Sequence, residues 1–132
     1  VAQALESLGL KRETFNIVNG SGLYRATTIT PASMLKLLIR MANHPKLGSA
    51  FRKTLAVSGQ PGTVHKRLKG PLRGAVRGKT GTLNEVVSLS GYITSQKSGI
   101  LAFAIFINES SENRITKVRQ EIDRLIRQWS RL

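Results

Sequence analysis

Five consecutive residues, Gly78-Lys79-Thr80-Gly81-Thr82, put one cation, two hydroxyls and two positions without side chains into one short run. Such a run suits recognition of an anionic group by a strand or loop whose backbone a ligand can approach closely. It first suggests a phosphate-binding loop of the G-x-x-x-x-G-K-[ST] type. The spacing does not fit: three residues separate Gly74 from Gly78, one fewer than that loop needs. A phosphate loop must also open a helix, whereas Gly81, Asn84 and the β-branched Val86 and Val87 follow here.

Other reactive residues are scattered. Ser33-Met-Leu-Lys36 is a literal S-x-x-K, and a helix would put Ser33 and Lys36 on neighbouring turns, as a serine nucleophile and its lysine base require. Ser21 lies in Val18-Asn-Gly-Ser-Gly22, which is no nucleophile elbow because Asn19 takes the first glycine position. A Ser-His-Asp set would have to use Asp123, the sole aspartate, with His44 and His65 far upstream. Two histidines and few acids argue against a metal site, and the lack of cysteine removes thiol chemistry and disulfides. His65 reads as part of a solvated basic face, Glu85 as a turn carboxylate, and Trp129 as a core anchor.

The elements that would hold these residues follow from periodicity. Residues Val1 to Leu10 read as the end of a helix, closing at Gly9, and Phe15 to Val18 as a short strand. Thr30-Pro31 starts a helix, with Thr30 as cap, that stops near Asn43 because Pro45 follows. A second helical piece is expected over Lys46 to Leu55, a loop over Val57 to Gly62, and a short helix capped by Thr63 through Leu68. Ala75–Thr82, Val86–Thr94 and Ile100–Ile107 read as three strands, the last two joined by the hairpin loop Ser95–Gly99. The chain closes with a helix over Ser111 to Gln128, capped by Ser110 or Ser111. Its apolar stripe is Ile115, Val118, Ile122, Leu125, Ile126 and Trp129, and Asp123 and Arg127 form an i,i+4 pair. The fold class is α+β: an antiparallel sheet with three strands in this chain, flanked by helices.

Composition bounds the alternatives. The chain has 132 residues, one domain or part of one, with 40% hydrophobic residues, enough for a core. Its net charge is +14, and no acid stands between Glu13 and Glu85 while twelve bases do. Such a surface attracts polyanions or carboxylate-bearing substrates. A basic binding module for nucleic acid, or for an anionic wall or membrane surface, is therefore the rival to an enzyme. Against nucleic acid, no aromatic falls between Phe51 and Tyr92 to stack bases along the basic run from Lys66 to Lys79. No apolar run approaches membrane-spanning length. The chain starts at Val1 without Met and without a signal peptide, which suggests a fragment of a longer protein.

Five segments in one order carry a resemblance: Asn19–Arg25 (NGSGLYR), Thr30–Leu38 (TPASMLKLL), Ser58–Leu68 (SGQPGTVHKRL), Gly78–Thr94 (GKTGTLNEVVSLSGYIT) and Leu101–Asn108 (LAFAIFIN). In these the chain resembles the D-alanyl-D-alanine carboxypeptidase/endopeptidase family of low-molecular-mass penicillin-binding proteins, peptidase family S13, of the penicillin-binding protein 4 type. Asn19 stands where that family usually has Asp, Tyr24 where it usually has Ser, and Gly78 where Ala is common.

The resemblance implies the C-terminal part of a penicillin-binding/β-lactamase-like transpeptidase domain, filling residues 1–132. It implies hydrolysis of D-Ala-D-Ala ends of peptidoglycan stem peptides, and acylation by β-lactams, through an acyl-serine without metal or cofactor, outside the cytoplasm. Lys79 would be the catalytic cation near the nucleophile's proton traffic. Thr80 and Thr82 would donate to the substrate carboxylate, and Gly81 would let the substrate lie along the strand. The family's nucleophilic S-x-x-K and its S-x-N lie upstream of the DGSGL-like loop. Ser33–Lys36 matches the later T-P helix instead, and the S-x-N at Ser111-Glu-Asn113 follows the lysine element, where it would cap a helix. The remainder of its own catalytic domain is then the chain's first partner, and these 132 residues alone should be inert as a peptidase.

Overall fold

A computed structural model describes residues 1–108 and 114–132. The elements run α1 (Ala2–Ser7), β1 (Phe15–Asn16), β2 (Thr28–Ile29), α2 (Pro31–Ala42), α3 (Gly48–Lys53), β3 (Ala56–Val57), β4 (Val76–Leu83), β5 (Val86–Ser95), β6 (Gly99–Ile107) and α4 (Ile115–Trp129). Two antiparallel sheets result: the pair β1-β2, and a four-stranded sheet in the order β3-β4-β5-β6. The expected three strands are all present, in the expected meander. The sheet gains a fourth, β3, inside the segment read as helix end and loop. Two residues of extended chain pair Ala56 with Gly78 and Val57 with Arg77, a long-range contact that no local pattern announces.

Alternation along β4 and β5 decides which helix covers which face. Val76, Gly78, Thr80 and Thr82 stand opposite Ile93, Gly91, Leu89 and Val87. This face packs against Ile122 and Ile126 of α4, with Val64, Leu68 and Leu72 completing the core. Phe103 meets Trp129 with ring centroids 6.3 Å apart. The apolar stripe of α4 thus does what its period requires. The expected start of that helix, with its cap at Ser110 or Ser111 and with Ser111-Glu-Asn113, lies outside the described residues. The opposite face, with Arg77, Lys79, Gly81 and Tyr92, belongs to α2, whose Leu38 carbonyl accepts a 2.6 Å hydrogen bond from the Tyr92 hydroxyl. Thr30 caps α2 as expected, its hydroxyl accepting from the Ser33 amide at 3.2 Å.

Two local expectations change. The segment from Thr63 to Leu68 forms turns, not a helix. It ends on Leu68 at φ +51, a backbone position unusual for leucine, and there the side chain is almost fully buried in the core. Asp123 pairs not with Arg127 but with Arg67. The guanidinium donates to both carboxylate oxygens, at 2.7 to 3.1 Å, and to the Arg119 carbonyl at 3.3 Å. Both side chains are mostly buried, so Arg67 is no part of a solvated basic face. This pair fixes α4 to the turns beside the sheet. No helix among the described residues is long and apolar enough to cross a membrane.

Breaking a buried pair from one side strands a charge, which costs about 3 kcal/mol. Asp123→Ala should therefore lower the unfolding free energy of the full-length protein, read from urea titration, by that much, whereas the double change Arg67→Met with Asp123→Leu should recover more than half. A loss below about 1 kcal/mol for the single variant would show that the pair does not clamp α4.

Candidate functional site

The sequence-predicted lysine element forms most of β4, and its two edges differ. Hydrogen bonds from Ser58 N to Val76 O, 2.9 Å, and from Val76 N to the Ser58 hydroxyl, 3.2 Å, show that residue 76 points its backbone groups toward β3. By strand alternation Gly78, Thr80 and Thr82 do the same, while Arg77, Lys79, Gly81 and Leu83 face β5. Because β3 reaches only to Gly78, no strand among the described residues pairs with the outer edge of residues 79–83. The backbone groups of Thr80 and Thr82 are left facing outward.

The side chains along that edge divide between the faces. Lys79 is exposed on the α2 face and donates to the Thr80 carbonyl at 2.7 Å, capping one outward acceptor. Among the described residues no carboxylate pairs with it. Thr80 and Thr82 lie on the α4 face, where the Thr82 hydroxyl accepts 2.9 Å from Arg119 of α4. Gly81 faces Ser88, and a Cβ there would meet the Ser88 hydroxyl. The missing side chain therefore opens space on the α2 face of the sheet.

That space continues into a groove of about 500 Å³. Gly81, Thr82 and Ser88 form its floor, with Asn84 and Glu85 at the turn and Gly22, Tyr24 and Arg25 on the far wall. The far wall is the loop between β1 and β2. Its shape comes from Asn19, whose side-chain oxygen accepts from the Ser21 amide at 3.1 Å and the Ser21 hydroxyl at 2.8 Å. An amide oxygen here makes contacts that a carboxylate could equally accept. Arg25 crosses the groove end to Glu85 at 3.2 Å, and Glu85 itself sits at φ +64 in the β4–β5 turn. Tyr24, Arg25 and Asn84 were not singled out in the sequence as site residues, for their proximity to Gly81 depends on a loop about sixty residues away along the chain (separation 59 from Arg25 to Asn84).

The other sequence candidates lie elsewhere. Ser33 is buried and donates to the Thr14 hydroxyl at 2.6 Å, and Lys36 turns to the Gly9 carbonyl. Both are engaged in joining α2 to the N-terminal segment. His44 accepts from the Lys46 and Leu47 amides at a turn. A second cavity, about 290 Å³, gathers Arg52, Lys53 and Arg77 around Tyr92. Burial pushes the Tyr92 phenol above its ordinary 10.0, against the pull of nearby Arg52.

An antiparallel sheet between helices, with a Lys-Thr-Gly strand beside a groove, is the fold of part of a penicillin-binding protein. A crystal structure of penicillin-binding protein 4 from Haemophilus influenzae, complexed with a β-lactam, overlays 99% of this chain on 32% of its own, with TM-score 0.86 and 29% identity. The sequence profile of the D-Ala-D-Ala carboxypeptidase 3 (S13) family matches residues 1–129, and the chain belongs to that family. It is 33% identical over 112 residues to the D-alanyl-D-alanine carboxypeptidase DacB of H. influenzae, matching 82% of this chain and 23% of that protein. It is also 33% identical over 117 residues to a D-alanyl-D-alanine carboxypeptidase of an Actinomadura species, 84% of this chain and 21% of that one. The chain thus spans under a quarter of both relatives.

The placement of β4 rests on Gly91 across from Gly78. Gly91 has φ +155, and a Cβ there would overlap the Arg77 carbonyl. Gly78 is less restricted: its Cβ would lie 3.1 Å from Leu89 Cδ1 and from the Ser90 carbonyl oxygen. Gly91→Ala should destabilise the full-length protein by at least about 3 kcal/mol and speed amide exchange along β4. Near wild-type stability would show that the close approach is not needed to hold the edge strand.

Proposed function

We propose that the full-length protein is a serine-type D-Ala-D-Ala carboxypeptidase/endopeptidase of peptidoglycan stem peptides, and that this chain is the wall of its cleft. The observation carrying the reading is the outer edge of residues 79–83, which no strand among the described residues pairs, beside the groove. An extended peptide can add to such an edge through its own backbone, with side-chain pockets supplying the selectivity. A ligand lying there has the outward groups of Thr80 and Thr82 in its plane, Lys79 on one side and the two hydroxyls on the other.

In this reading a serine supplied by the rest of the catalytic domain attacks the carbonyl of the penultimate D-Ala. The C–N bond breaks, the terminal D-Ala leaves with the proton, and water then hydrolyses the acyl-serine. A β-lactam is attacked in the same way; its ring C–N bond opens, but the amine stays attached and cannot depart. Thr80 and Thr82 donate to the terminal carboxylate, which otherwise would be left without partners in a narrowed site. Lys79 supplies a fixed positive charge near the nucleophile's proton traffic, and an outward amide of β4 stabilises the oxyanion, a contribution of about 3 kcal/mol in other acyl-transfer sites. The space above Gly81 admits the substrate chain to the groove. The reaction needs no metal or cofactor, and its substrate places the protein outside the cytoplasm.

The test uses a fluorescent penicillin followed by denaturing gel. The full-length protein should be covalently labelled and the isolated 132 residues should not. Lys79→Ala in the full-length protein should slow labelling at least about a hundredfold with an unchanged melting temperature. Labelling of the isolated chain would locate the nucleophile within it and overturn the reading. In the same assay, Gly81→Ala should leave stability within about 1 kcal/mol, because the Ser88 hydroxyl can rotate away, yet slow labelling about tenfold. Undiminished labelling of that variant would remove Gly81 from the site.

A further inference from the structure

We infer that Arg119 is a positioning residue for carboxylate recognition, acting through the Thr82 hydroxyl; the inference rests on the reading of Thr82 as a carboxylate donor. Arg119 stands on α4, 37 residues from Thr82 in sequence, and its guanidinium donates to Thr82 Oγ1 at 2.9 Å. A threonine hydroxyl has one proton and two acceptor sites. With Arg119 donating into one acceptor site, the proton is directed away from the guanidinium, toward the outer edge where a ligand carboxylate would lie. Without it the hydroxyl rotor is free, and a nearby carbonyl can capture its proton.

Two further observations favour this role over an accidental surface contact. The turn of α4 that carries Arg119 is fixed by the largely buried Arg67–Asp123 pair, and Arg67 also donates to the Arg119 carbonyl at 3.3 Å. The base of the side chain is therefore held, and only its own torsions must be ordered to reach Thr82. Among the described residues no carboxylate pairs with Arg119. Its remaining N–H donors can lend a long-range positive field to an anion at the edge, in addition to orienting the hydroxyl. Together, Lys79 on one face and Arg119 on the other flank the same backbone edge.

The experiment compares acylation of the full-length protein by benzylpenicillin and by its methyl ester, which lacks the carboxylate charge. Arg119→Ala should lower the acylation efficiency for the acid about tenfold while changing that for the ester less than about twofold, so that the acid-to-ester ratio collapses. On a Thr82→Val background the same change should cost the acid less than about threefold, because the hydroxyl it orients is gone. A purely structural role would lower acid and ester together. If Arg119→Ala does not fold, Arg119→Gln keeps the base of the side chain but is two bonds too short to return an N–H to the Thr82 hydroxyl and carries no charge, and should still lower the ratio about fivefold. An unchanged ratio in the folded variant, or equal losses for acid and ester, overturns the inference. A wild-type protein that is not acylated at all, or shows no preference for the acid, would instead overturn the reading of Thr82 on which it rests.

Discussion

The arrangement depends on a strand, β4, that is paired along its whole length on one side and, among the described residues, only as far as Gly78 on the other. Along its inner edge β4 meets β5 over its whole length, from Val76 opposite Ile93 to Leu83 opposite Val86. On its outer edge β3 ends after two pairs, at Gly78. Unpaired strand edges invite aggregation, and proteins commonly protect them with charge. Here Lys79 folds onto the outward carbonyl of Thr80, and Arg119 approaches from the other face. The same charges that discourage pairing with another strand suit the edge to a short anionic peptide. In the proposed function, one set of residues therefore serves both recognition and protection of the edge.

The two helices set the two faces of that strand. α2 is held to β5 through the Tyr92 hydroxyl, which leaves the groove open between the sheet and the loop that Asn19 shapes. α4 is held by its apolar stripe and by the Arg67–Asp123 pair, which links it to the turns preceding β4. A rotation of α4 by one residue would bury the wrong stripe and carry Arg119 away from Thr82. Packing of the core and placement of the hydroxyl are thus coupled, although neither Arg67 nor Asp123 lies at the edge.

Much of this was legible in the residues because it is local. Thr30-Pro31 announces α2, the near-continuous apolar run 100–107 announces β6, and the 3.6-residue period from Ile115 to Trp129 announces α4. The Lys-Thr-Gly element and the ordered segments around it pointed to the family. What escaped is set by contacts between distant residues. The strand β3 exists because Ala56 and Val57 find Arg77 and Gly78, not because of their own pattern. Asp123 chose a partner 56 residues away over the i,i+4 neighbour because the distant guanidinium shares its burial and can engage both carboxylate oxygens. The groove wall at Tyr24 and Arg25 depends on how the loop after β1 folds back toward the β4–β5 turn, which spacing alone does not determine.

The most direct measurement is residue-resolved amide hydrogen exchange of the full-length protein, free and after acylation by a β-lactam. The Thr80 and Thr82 amides should exchange readily in the free protein and become protected in the acyl-enzyme, while Lys79 and Gly81, already bonded to β5, change little. Thr80 and Thr82 amides that are protected before acylation, or that stay unprotected after it, would contradict the claim that this edge is the ligand's docking strand.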